Sequence, residues 1–337
     1  MEPKEKKRTS GCLWIAVIML FMVLCASLFL NIGLLATKFW EKDDDFAGTR
    51  PADQFPEFRA TWSYGEGTTR VVRIPLQGMI MRETGGGFLV PRQDPVRLIQ
   101  QQIRAAQNDV SIRGIILEVD SPGGAVTPSD EIYMALRSFR ESAPDRRVVA
   151  FSRDLMASGA YYAGVAADAI VTEPTCLVGS IGVLLQTLNW HVLTDRLGIT
   201  DVTIKSGTNK DVLNPFRETQ EQEVELLQTI IDQMHERFVS IVQDERGLQS
   251  EAIREVADGR ILIAADALAA GLIDQVGYWP DAVRRMAELL GEDDVRVFRF
   301  ERRTDWSEWL LSLRHPLDVG GALPALRGPQ LLYLWHP

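Results

Sequence analysis

Residues 114–124 read Gly-Ile-Ile-Leu-Glu-Val-Asp-Ser-Pro-Gly-Gly, an apolar run that ends in a proline and a pair of glycines. A short, continuous apolar run is typical of a strand buried on both faces of a parallel sheet. Thr127-Pro128 follows as a helix start, because proline is favoured at the first helical position, and a helix is predicted to about Arg140. Strand, glycine turn and helix in this order predict an α/β domain.

The alternation of strand-like and helical segments extends in both directions from this stretch. Upstream, residues 71–80 resemble a strand, and residues 95–107 carry apolar side chains at helical spacing. Downstream, a capping box at 219–222 opens a long helix that ends at Gly247. The other predicted strands are 148–151, 169–172, 178–183, 272–276 and 295–300, and the other predicted helices are 155–167, 264–270 and 281–290.

The N-terminus predicts a membrane anchor. A basic head at 1–10 precedes 27 uncharged residues at 11–37, more than the roughly 20 needed to span a bilayer. A cleaved signal peptide is the alternative, although its apolar region is usually shorter. We expect the head to be cytoplasmic and the rest to lie outside the cytoplasm. The predicted sequence of parts is head 1–10, span 11–37, linker 38–68, main α/β domain 69–300 and C-terminal extension 301–337.

Composition argues against several function classes. Residues 43–337 carry 30 basic and 43 acidic side chains, a balance unsuited to binding nucleic acid. Two of the three cysteines lie in the apolar run, so neither a disulfide framework nor a cysteine-rich zinc site is predicted. The four histidines lack metal-site spacing, and no metal or cofactor is expected.

Lysine is almost absent beyond the apolar run. Residues 43–337 contain 28 arginines and two lysines, and both lysines lie in residues 205–210 (Lys-Ser-Gly-Thr-Asn-Lys). Arginine stays protonated in proteins, whereas a buried lysine amine can lose its proton near neutral pH and act as a base. The pair is either a chance feature of a polar turn or part of a catalytic site. The residue chemistry alone leaves Lys205 and Lys210 equally open as the base.

A serine and a glycine pair supply the other components of a hydrolase. Gly123-Gly124 would let backbone N–H groups approach a bound oxygen, although such pairs mostly serve turns. Ser158 falls in the first turn of the predicted helix 155–167, where unpaired N–H groups stabilise negative charge, although such serines are usually caps. Together with the lysines they suit a Ser–Lys hydrolase, in which a neutral amine removes the hydroxyl proton.

Five motifs in a fixed order make residues 70–300 resemble a known family. They are Asp-Ser-Pro-Gly-Gly (120–124), Met-Ala-Ser-Gly-Ala-Tyr-Tyr (156–162), Gly-Ser-Ile-Gly-Val (179–183), Lys-Ser-Gly-Thr-Asn-Lys-Asp (205–211) and Asp-Gly-Arg-Ile (258–261). The chain resembles the single-domain bacterial signal peptide peptidase A family, the S49 serine peptidases. The resemblance implies the crotonase-like fold of repeated ββα units that Clp protease subunits share.

The resemblance also implies roles for individual residues. It assigns the nucleophile to Ser158 and the general base to Lys210. It implies that Gly124, next to Gly123, and the N–H of Ser158 stabilise the oxyanion. Ser180 is implied as a hydrogen-bond partner of the lysine amine.

The family pattern further implies assembly and substrate. It predicts a homo-octamer in which serine and lysine come from neighbouring protomers, so an isolated protomer should be inactive. The implied substrates are remnant signal peptides and misfolded exported proteins, cut at small or apolar residues on the outer side of the bacterial inner membrane. The alternatives are a related protease with a dedicated membrane-protein partner, a catalytically silent scaffold, and an acyl-CoA enzyme of the same fold.

The C-terminal segment is too apolar for a tail that extends into solvent. Residues 330–335 read Gln-Leu-Leu-Tyr-Leu-Trp. We expect this segment to dock on the core or to occupy a groove, of its own chain or a neighbour's, where the enzyme could clip it.

Overall fold

The computed structural model describes residues 10–40, 54–82, 94–301 and 330–334. The head at 1–9, part of the predicted linker and residues 302–329 lie outside these ranges. The chain divides into two compact units, Met1–Pro51 and Ala52–Pro337.

The first unit is a single helix in its described part. Helix α1 spans Ser10–Trp40 and contains the whole predicted span 11–37. Its most apolar stretch, Trp14–Leu34, is 21 residues long, or about 31 Å at 1.5 Å per residue. The helix is therefore long and apolar enough to cross a membrane.

The second unit alternates strands and helices. Its strands are β1 (Arg59–Tyr64), β2 (Thr69–Gln77), β3 (Ile112–Ser121), β4 (Gly123–Ala125), β5 (Arg147–Ala157), β6 (Ala169–Thr172), β7 (Leu177–Gly179), β8 (Leu184–Gln186), β9 (Ile261–Ile263), β10 (Gln275–Val276), β11 (Val295–Glu301) and β12 (Gln330–Leu334). Its helices are α2 (Pro95–Asn108), α3 (Val126–Glu141), α4 (Gly159–Gly164), α5 (His191–Leu197), α6 (Glu221–Arg246), α7 (Ser250–Val256), α8 (Ala264–Ala269) and α9 (Trp279–Leu290).

One large sheet organises this unit. Its strand order is β1-β11-β2-β3-β5-β6-β10, and the run from β11 to β10 is parallel. Strand β7 extends the end of β5, and β9 pairs with β7 in the antiparallel sense. One hydrophobic cluster packs α2, α3 and α4 against the sheet, and a second packs α9 against the other face. The prediction of a mixed α/β domain after one apolar helix is confirmed.

A second, small sheet has the order β4-β12-β8. It joins the glycine pair, the C-terminal segment and the strand that follows Ser180. The apolar segment at 330–334 is thus the middle strand of a sheet within its own chain.

The segments β8, α5, α7 and β9 were not predicted, and three further segments differ from the sequence-based prediction. Strand β1 lies inside the predicted linker 38–68. It forms an antiparallel ladder with β11, in which Ala60 pairs with Phe300. The predicted helix 155–167 begins later, because Leu155–Ala157 continue β5 and pair with β7. The predicted strand 178–183 stops at Gly179, whose φ of +107° turns the chain.

A buried carboxylate lies between two arginines on β2 and β5. Glu118 of β3 is 5% exposed and pairs with Arg73 and Arg153. Both guanidinium groups also lie over the ring of Trp279, the first residue of α9. Burial raises the pKa of Glu118, but the hydrogen bonds and charges of Arg153 and Arg73 outweigh it and leave the pKa below its usual value.

We predict that Glu118→Gln destabilises the protein at neutral pH by about 1–3 kcal/mol, because two arginines lose a charged partner. The folded pKa is lowered, so the carboxylate's contribution is present above its ordinary pKa of about 4.3 and is lost as the pH falls through the folded value. Chemical denaturation of both proteins at pH 7 and at decreasing pH measures the difference. A difference that stays constant down to the acid transition would contradict this account.

Candidate active site

Ser158 lies at a sharp turn between a strand and a helix. It follows the last residue of β5 and precedes Gly159, the first residue of α4, with φ 53° and ψ −118°. A positive φ is uncommon for a residue with a side chain, and such strain recurs at functional sites. Ser158 is 1% exposed, and its Oγ has no hydrogen-bond partner among the described residues. The Ser158 hydroxyl is therefore buried without a hydrogen bond, on a residue whose backbone is strained.

Two buried tyrosines anchor the short helix that follows the serine. Tyr161 donates its hydroxyl proton to the Leu272 carbonyl at 2.8 Å. Tyr162 donates to Asp130 Oδ1 at 2.5 Å, and its ring packs against that of Phe238. Sequence reasoning missed these roles, although two adjacent tyrosines in an otherwise small and apolar segment require polar partners for their hydroxyls.

The glycine pair packs backbone to backbone against Ile80. The N–H of Ile80 donates to the Gly123 carbonyl, and the N–H of Ala125 donates to the Ile80 carbonyl, both at 2.8 Å. A Cβ at Gly124 would lie 2.1 Å from the Ile80 carbonyl oxygen, so glycine is required there. Neighbouring residues of a strand point their N–H groups in opposite directions, so the Gly124 N–H faces away from Ile80 and towards β12, the other neighbour of β4.

The second predicted oxyanion donor is already in use. The N–H of Ser158 donates to the Gly179 carbonyl at 2.7 Å. An oxyanion at this N–H would have to replace that bond, so its predicted role stays a prediction. Ser180, the next residue, is 7% exposed with φ 52°, and its own N–H donates to the Arg260 carbonyl. Ser158 is thus hydrogen-bonded to Gly179, the neighbour of Ser180, and φ is positive at all three residues.

Within one chain, no hydrogen bond joins the lysine segment to Ser158 in the described residues. Residues Thr208–Asp211 form a 3-10 turn, and Lys210 is exposed. Lys205 Nζ donates to the Thr208 carbonyl at 2.9 Å and to Asp211 Oδ1 at 2.5 Å, so it holds this turn together. No contact joins Lys210 to Ser158 or to Ser180 in the described residues. The predicted dyad is therefore not assembled in a single protomer.

A pocket of about 420 Å³ opens beside Ser180. Its apolar walls include Ile181, Val183 and Ile231, and α6 adds the polar side chains of Asp232 and His235. Sequence reasoning missed this pocket, because its walls come from the separate segments 180–184, 228–235 and 257–259 together with Leu334.

Sequence comparison agrees with this geometry. The profile of peptidase family S49 matches residues 140–293. An Enterococcus faecium protein named "signal peptide peptidase SppA" is 32% identical over 74% of this chain and 73% of its own length. A Methanocaldococcus jannaschii protein that is named as a protease is 30% identical over 86% of this chain and 86% of its own length.

The chain belongs to peptidase family S49. A chloroplastic serine protease of Arabidopsis thaliana, SPPA, is also 30% identical over 64% of this chain, although the match covers 32% of that longer protein. This S49 member is a serine peptidase.

We predict that Gly124→Ala in this S49 peptidase reduces kcat at least tenfold, because the added methyl must push β4 away from Ile80. Cleavage of a fluorogenic peptide measures the loss, and circular dichroism of the same sample shows whether the fold is retained. Full activity in a folded Gly124→Ala protein would contradict the proposed closeness of β4 to the reacting atoms.

Proposed function

We propose that the chain is a membrane-anchored endopeptidase in which Ser158 is the nucleophile and Lys210 of a neighbouring copy is the general base. The observation that carries this proposal is the contrast between the two residues. Ser158 presents a buried hydroxyl without a partner, and Lys210 stands exposed on a turn that its own chain stabilises without using its amine.

The segment around Lys210 has the surface of a protein interface. Large apolar side chains are exposed on both sides of the turn, among them Val202 at 80% and Ile204 at 97%. Exposed apolar residues in such a cluster favour burial against a partner. The other exposed members are Leu188, Trp190, Val192, Leu193, Leu197, Ile199 and Phe216. We propose that a second copy of the chain covers this surface and that the contact carries Lys210 to Ser158, in a closed ring of copies such as the octamer that the family resemblance implies.

The chemistry needs a neutral amine beside the hydroxyl. Nζ of Lys210 accepts the hydroxyl proton as Oγ of Ser158 bonds to the substrate carbonyl carbon. The carbonyl oxygen becomes an oxyanion, which the Gly124 N–H stabilises. The amine then gives the proton to the leaving nitrogen, and the peptide bond breaks. A water molecule, deprotonated by the same amine, hydrolyses the acyl-enzyme and restores the serine.

The anchor and the groove favour apolar peptides near a membrane as substrates. Helix α1 follows a head with Lys4, Lys6, Lys7 and Arg8, and such basic segments stay on the cytoplasmic side. We therefore propose a single-pass protein of the bacterial inner membrane with its peptidase unit outside the cytoplasm. Remnant signal peptides and misfolded exported proteins are the substrate classes that this location supplies.

Two other functions use the same features differently. A related protease could act on one dedicated membrane-protein partner, which cleavage assays with synthetic signal peptides would distinguish. A catalytically silent scaffold is the candidate outside enzymes, but it gives no reason for the strained backbone and unpaired hydroxyl of Ser158.

We predict that Ser158→Ala and Lys210→Met each lower peptide hydrolysis by at least a thousandfold, whereas Lys205→Arg keeps most activity because arginine can also pair with Asp211. Assays on the full chain in detergent, with size-exclusion profiles as the folding control, measure the effect. Substantial hydrolysis by Lys210→Met would rule out Lys210 as the base.

Mixed assemblies test whether the dyad is shared. Ser158→Ala and Lys210→Met chains, co-expressed in equal amounts, should recover about a quarter of wild-type activity, because a site is intact only when its serine comes from a Lys210→Met chain and its lysine from a Ser158→Ala chain. If both residues of a site belonged to one chain, the mixture would be as inactive as its components.

A further inference from the structure

Tyr162 is bonded to the serine turn at one end and to α3 at the other. Its backbone N–H donates to the Ser158 carbonyl at 2.8 Å, which closes the first turn of α4. Its hydroxyl donates to Oδ1 of Asp130 at 2.5 Å. The side chain is fully buried, and a buried hydroxyl requires a hydrogen-bond partner. A shift of the Tyr162 side chain would therefore move the backbone of Ser158.

The same carboxylate oxygen also binds α6. Nη2 of Arg237 donates to Oδ1 of Asp130 at 2.6 Å, and this hydrogen bond raises the pKa of the arginine. The Asp130 side chain is 30% exposed, so water screens the pair only in part. One oxygen atom of α3 thus receives a hydrogen bond from α4 and another from α6.

Aromatic rings of α3 and α6 enclose the tyrosine ring. Tyr133, three residues after Asp130 on α3, meets the ring of Tyr162 in a T-shaped contact with centroids 5.6 Å apart. Phe238, next to Arg237 on α6, packs on the same ring at 5.0 Å. The rings limit the sideways movement of Tyr162, and the hydrogen bond to Asp130 fixes the position of its hydroxyl.

Helix α3 also carries the glycine pair. Strand β4 passes directly into α3, and the Ser129 hydroxyl donates to the Ala125 carbonyl at 2.9 Å across this junction. Asp130 follows Gly124 by six positions on that continuous backbone. The hydrogen bond from Tyr162 therefore links the serine turn to the strand that holds the proposed oxyanion donor.

We propose that Asp130 is a positioning residue of this peptidase, which acts through Tyr162 to hold the proposed nucleophile at a fixed distance from the proposed oxyanion donor. The inference rests on the proposed function, because it concerns how Ser158 is held for that reaction. A misplacement of about 1 Å can lower a rate about a hundredfold. Asp130 does not line the pocket beside Ser180, so its loss should lower kcat much more than it changes KM.

Four single variants of the full chain in detergent separate positioning from general stability. Asp130→Ala removes the acceptor, and the isosteric Tyr162→Phe removes the donor if the first variant does not fold. Asp130→Asn is the conservative variant, because its side-chain oxygen can still accept both hydrogen bonds. Tyr133→Phe is the matched control, since it removes a hydroxyl between the same two helices that donates to Glu245 at 2.7 Å instead.

We expect Asp130→Ala and Tyr162→Phe each to lower kcat for a fluorogenic peptide at least tenfold, with KM within about twofold of wild type. Asp130→Asn and the control Tyr133→Phe should keep kcat within about threefold. Combining the first two variants should cost no more than either alone, because both break the same hydrogen bond. Multiplying losses in the double variant, or an equal loss of kcat in the control, would overturn the inference.

Hydrogen exchange tests the contact without requiring hydrolysis. Amides of residues 158–164 should exchange severalfold faster in Asp130→Ala than in wild type or Tyr133→Phe, because the turn loses its outer anchor. Faster exchange in a chain that hydrolyses no peptide would retain the anchoring role of Asp130 and reject the proposed chemistry at Ser158. Unchanged exchange and kcat, in a chain whose hydrolysis requires Ser158, would retain the chemistry and reject the positioning role.

Discussion

The turn at Ser158 is the constraint on which the rest of the site depends. A serine with φ 53° between a strand and a helix costs about 1–3 kcal/mol of backbone strain. The structure maintains it by pairing the end of β5 with β7 on one side and by anchoring α4 through two tyrosine hydroxyls on the other. The large core is thus the support that fixes one hydroxyl at the edge of a groove.

The ion pairs next to Lys210 explain how its amine can remain available for the proposed chemistry. Asp211 lies next to Lys210 in sequence and would be its natural partner, but it pairs with Arg217 and Lys205. Hydrogen bonds from Arg217 and then Lys205 lower the pKa of Asp211 to about 2, so this carboxylate stays charged and committed. No ion pair of Lys210 occurs in the described part of the chain. Lys205 therefore forms an ion pair with the carboxylate that would otherwise pair with Lys210.

The sequence predicted the family and the fold class better than the placement of individual segments. Ser158 could be found because it lies in a motif, but its place at a strand end could not, since the apolar run 155–167 has no period that separates a strand from a buried helix. Strand β1 was missed for a related reason: its partner β11 is more than 200 residues away, and its side chains are mostly exposed. Local pattern carries little information about pairing between such distant segments.

The groove explains why Gly124 suits both the fold and the reaction. Any side chain there would collide with Ile80, so the close approach of two backbones demands glycine for packing alone. That approach uses the neighbouring N–H and C=O groups and leaves those of Gly124 to face β12, the other neighbour of β4. Outward-facing donors and acceptors of a strand pair with an extended chain through its backbone. The packing that requires glycine at this position therefore also leaves the edge of β4 able to pair with a second strand, as it does with β12.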